Sequence, residues 1–147
     1  MSHSYCTNLV HCVFSTKNRV PSIPGELQEQ LWAYLDGIAN NHHMPLLAVG
    51  GIANHVHLLV AIPQTTTVAS AINRFKANSS RWLHEHGSNF EWQKGYAAFS
   101  VSPSQVPAVK EYIRTQAEHH VKHTFEDEFI SLLRKCGVEF DPKHVFG

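Results

Sequence analysis

No stretch of this 147-residue chain approaches the ~18 consecutive apolar residues of a membrane-spanning helix. Met1 to Cys6 lacks the charged start and apolar core of a secretory signal. A soluble, intracellular (cytoplasmic) protein is the expectation. Cysteine is sparse: Cys6, Cys12 and Cys136 are odd in number and form no Cys-x-x-Cys unit. That argues against a disulfide framework and a cysteine-bound zinc, and it fits a reducing compartment. Nor is there an excess of one charge. Twelve Lys and Arg balance twelve Asp and Glu at a pI near 7.2, so the basic surplus of a nonspecific duplex binder is missing. No repeat, low-complexity linker or break in composition divides the chain, and its 43% hydrophobic content is enough for one domain, residues 1–147, with a sizeable core.

Charge is nonetheless uneven. Lys17, Arg19, Arg74, Lys76 and Arg81 are opposed only by Glu26, Glu29 and Asp36 in the first 84 residues, while Glu118, Glu126, Asp127 and Glu128 gather later. A local basic surface is therefore compatible with zero net charge. Twelve histidines add latent positive charge at mildly acidic pH.

Hydrophobic periodicity alternates along the chain. Thr7 to Ser15 reads as a strand with Leu9, His11, Val13 and Ser15 on one face and Val10, Cys12 and Phe14 on the other. Pro21 and Pro24 end it. A helix is predicted from Gly25 to Asn41, with Leu27, Leu31, Tyr34, Leu35 and Ile38 at helical spacing. Met44–Ile52 and His55–Ile62 form a hairpin around Ala53-Asn54, and a second helix runs from Thr67 to His86 until Gly87 stops it. Tyr96 to Ser102 is the next strand, followed by helices over Val109–His120 and Glu126–Lys135. The order strand, helix, strand, strand, helix, strand, helix predicts an α+β, ferredoxin-like split βαβ fold. Its antiparallel sheet carries helices on one face and leaves the other open for a ligand, with the first and third strands central.

The chemistry concentrates in two places. In a strand His55 and His57 point to the same face, offering two imidazoles side by side. On a helix Tyr112 and Gln116 lie one above the other, so a phenol and an amide oxygen are presented together. A His-x-His pair also occurs as an ordinary hydrogen-bonding pair, and an unperturbed phenol, with a pKa near ~10, is protonated at neutral pH. Gln116 changes the balance. An amide oxygen suits Mg²⁺ or Mn²⁺ better than zinc, and beside two neutral imidazoles it leaves coordination positions open for a phosphate oxygen. The pattern points to a tyrosine nucleophile acting on a metal-polarised phosphate. His120, on the same side, is a replacement ligand or a supporting donor. His119 and His123 stand four apart, but the Glu of His-Glu-x-x-His is absent.

These residues carry a resemblance. The segment around His55 resembles the His-hydrophobe-His motif of the HUH nuclease superfamily, and nearly the whole chain is similar to single-tyrosine transposases of the insertion-sequence-200 type. HCVFSTKNR from His11, NHVHLLV from Asn54, WQKGYAAFSVS from Trp92 and YIRTQAEHH from Tyr112 carry the likeness. The resemblance implies that Tyr112 is the nucleophile and that His55, His57 and Gln116 hold Mg²⁺ or Mn²⁺. It implies cleavage of single-stranded DNA through a 5′-phosphotyrosine intermediate, excision and insertion of an element with hairpin ends, and a homodimer whose sites are shared between subunits. In that setting Lys17, Arg19, Arg74, Lys76 and Arg81 are candidates for phosphate contacts and Trp92 for stacking on a base. Two other classes use part of the pattern: a non-catalytic nucleic-acid-binding module needs neither Tyr112 nor Gln116, and a metal-dependent hydrolase needs the histidines without Tyr112.

Overall fold

The computed structural model describes residues 3–146. Met1, Ser2 and Gly147, which belong to the readings of the chain start and of the domain's extent, lie outside the described residues. Strands β1 (Leu9–Ser15), β2 (Leu46–Ile52), β3 (His55–Ala61) and β4 (Ala97–Ser100) form an antiparallel sheet in the order β2-β3-β1-β4. This is the split βαβ arrangement, with β1 and β3 central as their sequences predict. β4 pairs with β1 only along Val10–Val13, so Tyr96, Val101 and Ser102 fall outside the strand expected there.

Alternation along the strands makes two unlike faces. Val10, Cys12 and Phe14 of β1 and Val56, Leu58 and Val60 of β3 point towards α1 (Gln28–Asn41) and α2 (Val68–Glu85). They meet Leu31, Leu35, Phe75 and Leu83 in the main core, each large side chain contributing about 1.5–3 kcal/mol by leaving water. The Thr67 hydroxyl caps α2 by accepting a hydrogen bond from the Ser70 amide at 3.1 Å.

The opposite face, which carries His11, Val13, His55 and His57, is not open as expected. It is covered by α3 (Val106–Arg114), α4 (Gln116–His119) and α5 (Phe125–Lys135). Two features bring these helices down. Phe125, Phe129 and Leu133 form the apolar stripe of α5 and pack on Val13, Ala97 and Phe99. On β2, Gly50 lets α3 approach the backbone: a Cβ there would collide with the Ile113 carbonyl oxygen and lie 3.2 Å from Ile113 Cγ2. The tyrosine helix also differs from its predicted span. It begins at Val106 and breaks at Thr115, where φ is −100° and ψ is 23°. The Thr115 hydroxyl donates back to the Glu111 carbonyl at 2.9 Å, a bond that bends helices.

Candidate active site

His55 and His57 are fully buried at the start of β3. In register, His57 lies between Val13 of β1 and Gly50 of β2, beneath α3. Both rings are held from behind. His55 Nδ1 donates to Asn54 Oδ1 at 2.8 Å, and His57 Nδ1 lies 2.8 Å from His11 Nε2. His11 is one strand away and diagonal to His57 on the same face, and the two rings stack at 5.0 Å. Both Nε2 atoms therefore point into one space beneath the helices.

Gln116 arrives there as expected, with Oε1 at 2.9 Å from His55 Nε2 and 3.0 Å from His120 Nε2. Sequence reasoning missed Glu128, which α5 delivers to the centre of the site. Its Oε1 is 3.0 Å from His57 Nε2, 3.2 Å from His120 Nε2 and 3.3 Å from His55 Nε2. Its other oxygen accepts a short hydrogen bond from the Tyr112 hydroxyl. A signal was available: Glu128 shares the face of Phe125, Phe129 and Leu133, and a carboxylate on an apolar stripe needs buried partners. His11 was placed on the correct face, but no spacing rule marks it as the support of His57.

Tyr112 and Gln116 reach the histidines of their own chain. In this single chain the close contact at Gly50 docks α3 on its own sheet; whether a partner subunit exchanges the helix is decided by mixing defective chains.

Burial shapes the electrostatics. It pushes His57 down to about 4 against the pull of Glu128, and it pushes His11 down to about 3, helped by the neighbouring His57. At neutral pH both rings are uncharged, the state a metal ligand requires. Burial works against the Glu128 charge, but the imidazoles of His120, His55 and His57 gathered around it pull its carboxyl well below the usual range. The Tyr112 phenol is pushed well above its ordinary value by burial and by the Glu128 bond. Two imidazole nitrogens, a carboxylate oxygen and an amide oxygen thus converge, and the donor atoms of His55, His57 and Glu128 lie within 4.8 Å of one another. This donor set fits a divalent cation that accepts nitrogen and hard oxygen ligands.

The remaining candidates are dispersed. His119 Nε2 is 3.6 Å from Glu128 Oε2 and its ring lies 5.1 Å from that of His123, so His119 faces the same carboxylate and does not start a separate zinc site. Lys17 pairs with Glu91 at 3.2 Å, and Arg19 with Glu126 at 3.5 Å. The Lys76 ammonium donates to the carbonyls of Gln93 and Gly95 at 2.8 and 2.7 Å and tacks the 93–95 loop to α2. Burial lowers it to about 8. Arg81 is exposed and donates to Asn78, and Arg74 is half-buried on the same helix. Trp92 donates its indole N–H to Ser79 Oγ at 2.9 Å and packs edge-on against Phe14 and Phe90, which leaves part of its surface free. None of these six touches the histidine cluster.

No described helix is long and apolar enough to cross a membrane. Transposases for insertion sequence element IS200 from Salmonella typhimurium and Salmonella typhi are each 25% identical over 126 residues, covering 80% of this chain and 82% of theirs. A candidate transposase of Deinococcus radiodurans R1 shares the fold with a TM-score of 0.62 and 22% identity, covering 79% of this chain and 96% of that one. A REP-associated tyrosine transposase, solved bound to a REP hairpin, matches with a TM-score of 0.59 and 15% identity over 82% of this chain and 73% of its own. The family model described as "Transposase IS200 like" matches residues 4–116, from the approach to β1 through Gln116, and the chain belongs to that family.

Proposed function

We propose that the protein cleaves and rejoins single-stranded DNA with Tyr112 as nucleophile, and that His55, His57, Gln116 and Glu128 hold Mg²⁺ or Mn²⁺ beside it. The observation that carries this reading is the shared carboxylate: Glu128 touches the Tyr112 hydroxyl with one oxygen and both strand histidines with the other. A bound divalent cation supplies Lewis-acid polarisation of the scissile phosphate. The protein's own groups do the rest. Tyr112 Oη forms a bond to phosphorus as the bond from phosphorus to the 3′ oxygen breaks. The products are a 5′-phosphotyrosine and, after protonation by water, a free 3′-OH. The phenol carries its proton in the resting site, hydrogen-bonded to Glu128 Oε2, and passes it to water as the bond from Tyr112 Oη to phosphorus forms.

The covalent link retains the bond energy, so a 3′-OH from another cleaved end can attack it and join strands without ATP. One chain brings one such tyrosine while exchange needs two cleaved ends, which makes a homodimer the economical assembly. The IS200 relatives and the hairpin-bound neighbour support transposition of an insertion element with hairpin ends; we assign it to one cytoplasmic domain.

A hydrolase that uses the same His-Glu group, with Tyr112 only packed beside it, is the competing reading, since that group could hold a metal without any role for the phenol. The two differ in product. With Mn²⁺ and single strands taken from the DNA flanking its own gene, the wild type should give a covalent protein–DNA band on a denaturing gel, and Tyr112→Phe should give none. Cleavage without any such band would support the hydrolase.

A further inference from the structure

We propose that the groove on the β4 side of Tyr112, between β4, α3 and α5, receives one nucleobase next to the scissile phosphate. This rests on Tyr112 being the nucleophile, because two clefts flank the Tyr112 ring and share it as a wall together with Leu132 and Lys135. A strand with its phosphate at the Tyr112 hydroxyl must run on to either side, and the two sides differ. One cleft, of about 220 Å³, is bordered by His119, His123, Asp127 and Glu128. It falls below the ~300–1,000 Å³ typical of ligand sites, and two carboxylates border it. The other holds about 590 Å³, within that range.

The walls of the larger groove suit a base. Phe99, Val109 and Leu132 offer apolar surface, and Gln105 and Ser102 offer an amide and a hydroxyl to the polar edge of a ring. No Asp or Glu is among the residues lining it, while Lys135 stands where a flanking phosphate would pass. A planar heterocycle with two apolar faces and a hydrogen-bonding rim matches that distribution, and the phosphate on which Tyr112 acts fixes which base lies beside it. Stacking against such walls tolerates any base, and the Gln105 and Ser102 side chains give the groove a means of preferring one.

The test fills the groove from its solvent side. Ala108 is exposed and lines it, so Ala108→Trp occupies the space without disturbing the core. Once the cleaved position is mapped, a set of strands carrying one abasic nucleotide at each flanking position is compared for adduct formation. Ala108→Trp is expected to lose at least ~tenfold on the intact strand and to regain near-wild-type adduct with the strand abasic at one particular position. Equal cleavage of the intact strand by both proteins, or a loss that no abasic position relieves, would overturn the assignment. An effect of Ala108→Trp confined to oligomeric state would give the groove to a second copy of the chain and overturn it as well. A second readout uses 2-aminopurine at the rescued position: Tyr112→Phe should quench its fluorescence, and Tyr112→Phe combined with Ala108→Trp should not. If no strand gives an adduct with wild type, the nucleophile reading fails. The fluorescence contrast, scanned over the same strands, then decides the groove by itself.

Discussion

Glu128 sits in a run of three acidic residues at the start of α5, yet it alone is buried, and it is bonded to four of the other side chains in the site: His55, His57, His120 and Tyr112. A buried carboxylate shared in this way predicts an order of effects in calorimetric Mn²⁺ titrations. His57→Ala should abolish binding, Glu128→Gln should weaken it strongly by removing the only negative charge in the donor set, and Gln116→Ala should weaken it least because His120 stands 3.0 Å from the lost oxygen. Unchanged affinity in His57→Ala would place the metal elsewhere. His11 should act on the metal without touching it: His11→Phe frees the His57 ring, with an expected loss of about 10–100-fold in Mn²⁺ affinity.

His11 also predicts a pH effect. Its pKa is lower folded, about 3, than the 6.5 of the exposed group, so below 6.5 the unfolded chain binds the extra proton. The stabilisation is complete above about 6.5 and drains away as pH falls towards 3, and His57 adds a contribution of the same sign down to about 4. Urea unfolding at pH 7 and pH 5 should show wild type losing stability between the two, and His11→Phe losing less. At this scale His55, His57, Tyr112 and Gln116 were legible because strand and helix periods fix them relative to near neighbours. Glu128 and His11 were not, since their roles arise from contacts 71 and 46 residues away in sequence, to His57 in both cases.

Among the elements, α3 decides whether the site closes. Its docking depends on Gly50, where any side chain meets the Ile113 carbonyl. Gly50→Ala should therefore cost about 1–3 kcal/mol in unfolding free energy and lower Mn²⁺ affinity as Gln116 and Tyr112 move away with their helices. Wild-type stability and affinity in that variant would mean that α3 docks by other contacts. The strands and first two helices were legible from alternation and helical spacing, and even the Ala53-Asn54 turn falls where it was read. The break at Thr115 was hidden because one side-chain hydroxyl causes it within an otherwise helical pattern. The second face was misjudged for a related reason: the apolar stripe of α5 could be read locally, but not the surface it would cover.

For the molecule as a whole, a chain that completes its own site predicts that mixing defects cannot restore cleavage. A purified heterodimer of Tyr112→Phe and His57→Ala chains carries one defect in each site and should form no adduct, whereas an adduct on the His57→Ala chain would mean that sites exchange tyrosine helices between subunits. The central claim concerns which atom joins the DNA. The direct measurement is mass spectrometry of the peptide recovered from the Mn²⁺-dependent adduct after protease and nuclease digestion. The expected result is a nucleotide 5′-phosphate on Tyr112. A nucleotide on Tyr5, Tyr34 or Tyr96, or cleaved DNA with every tyrosine unmodified, would contradict the account.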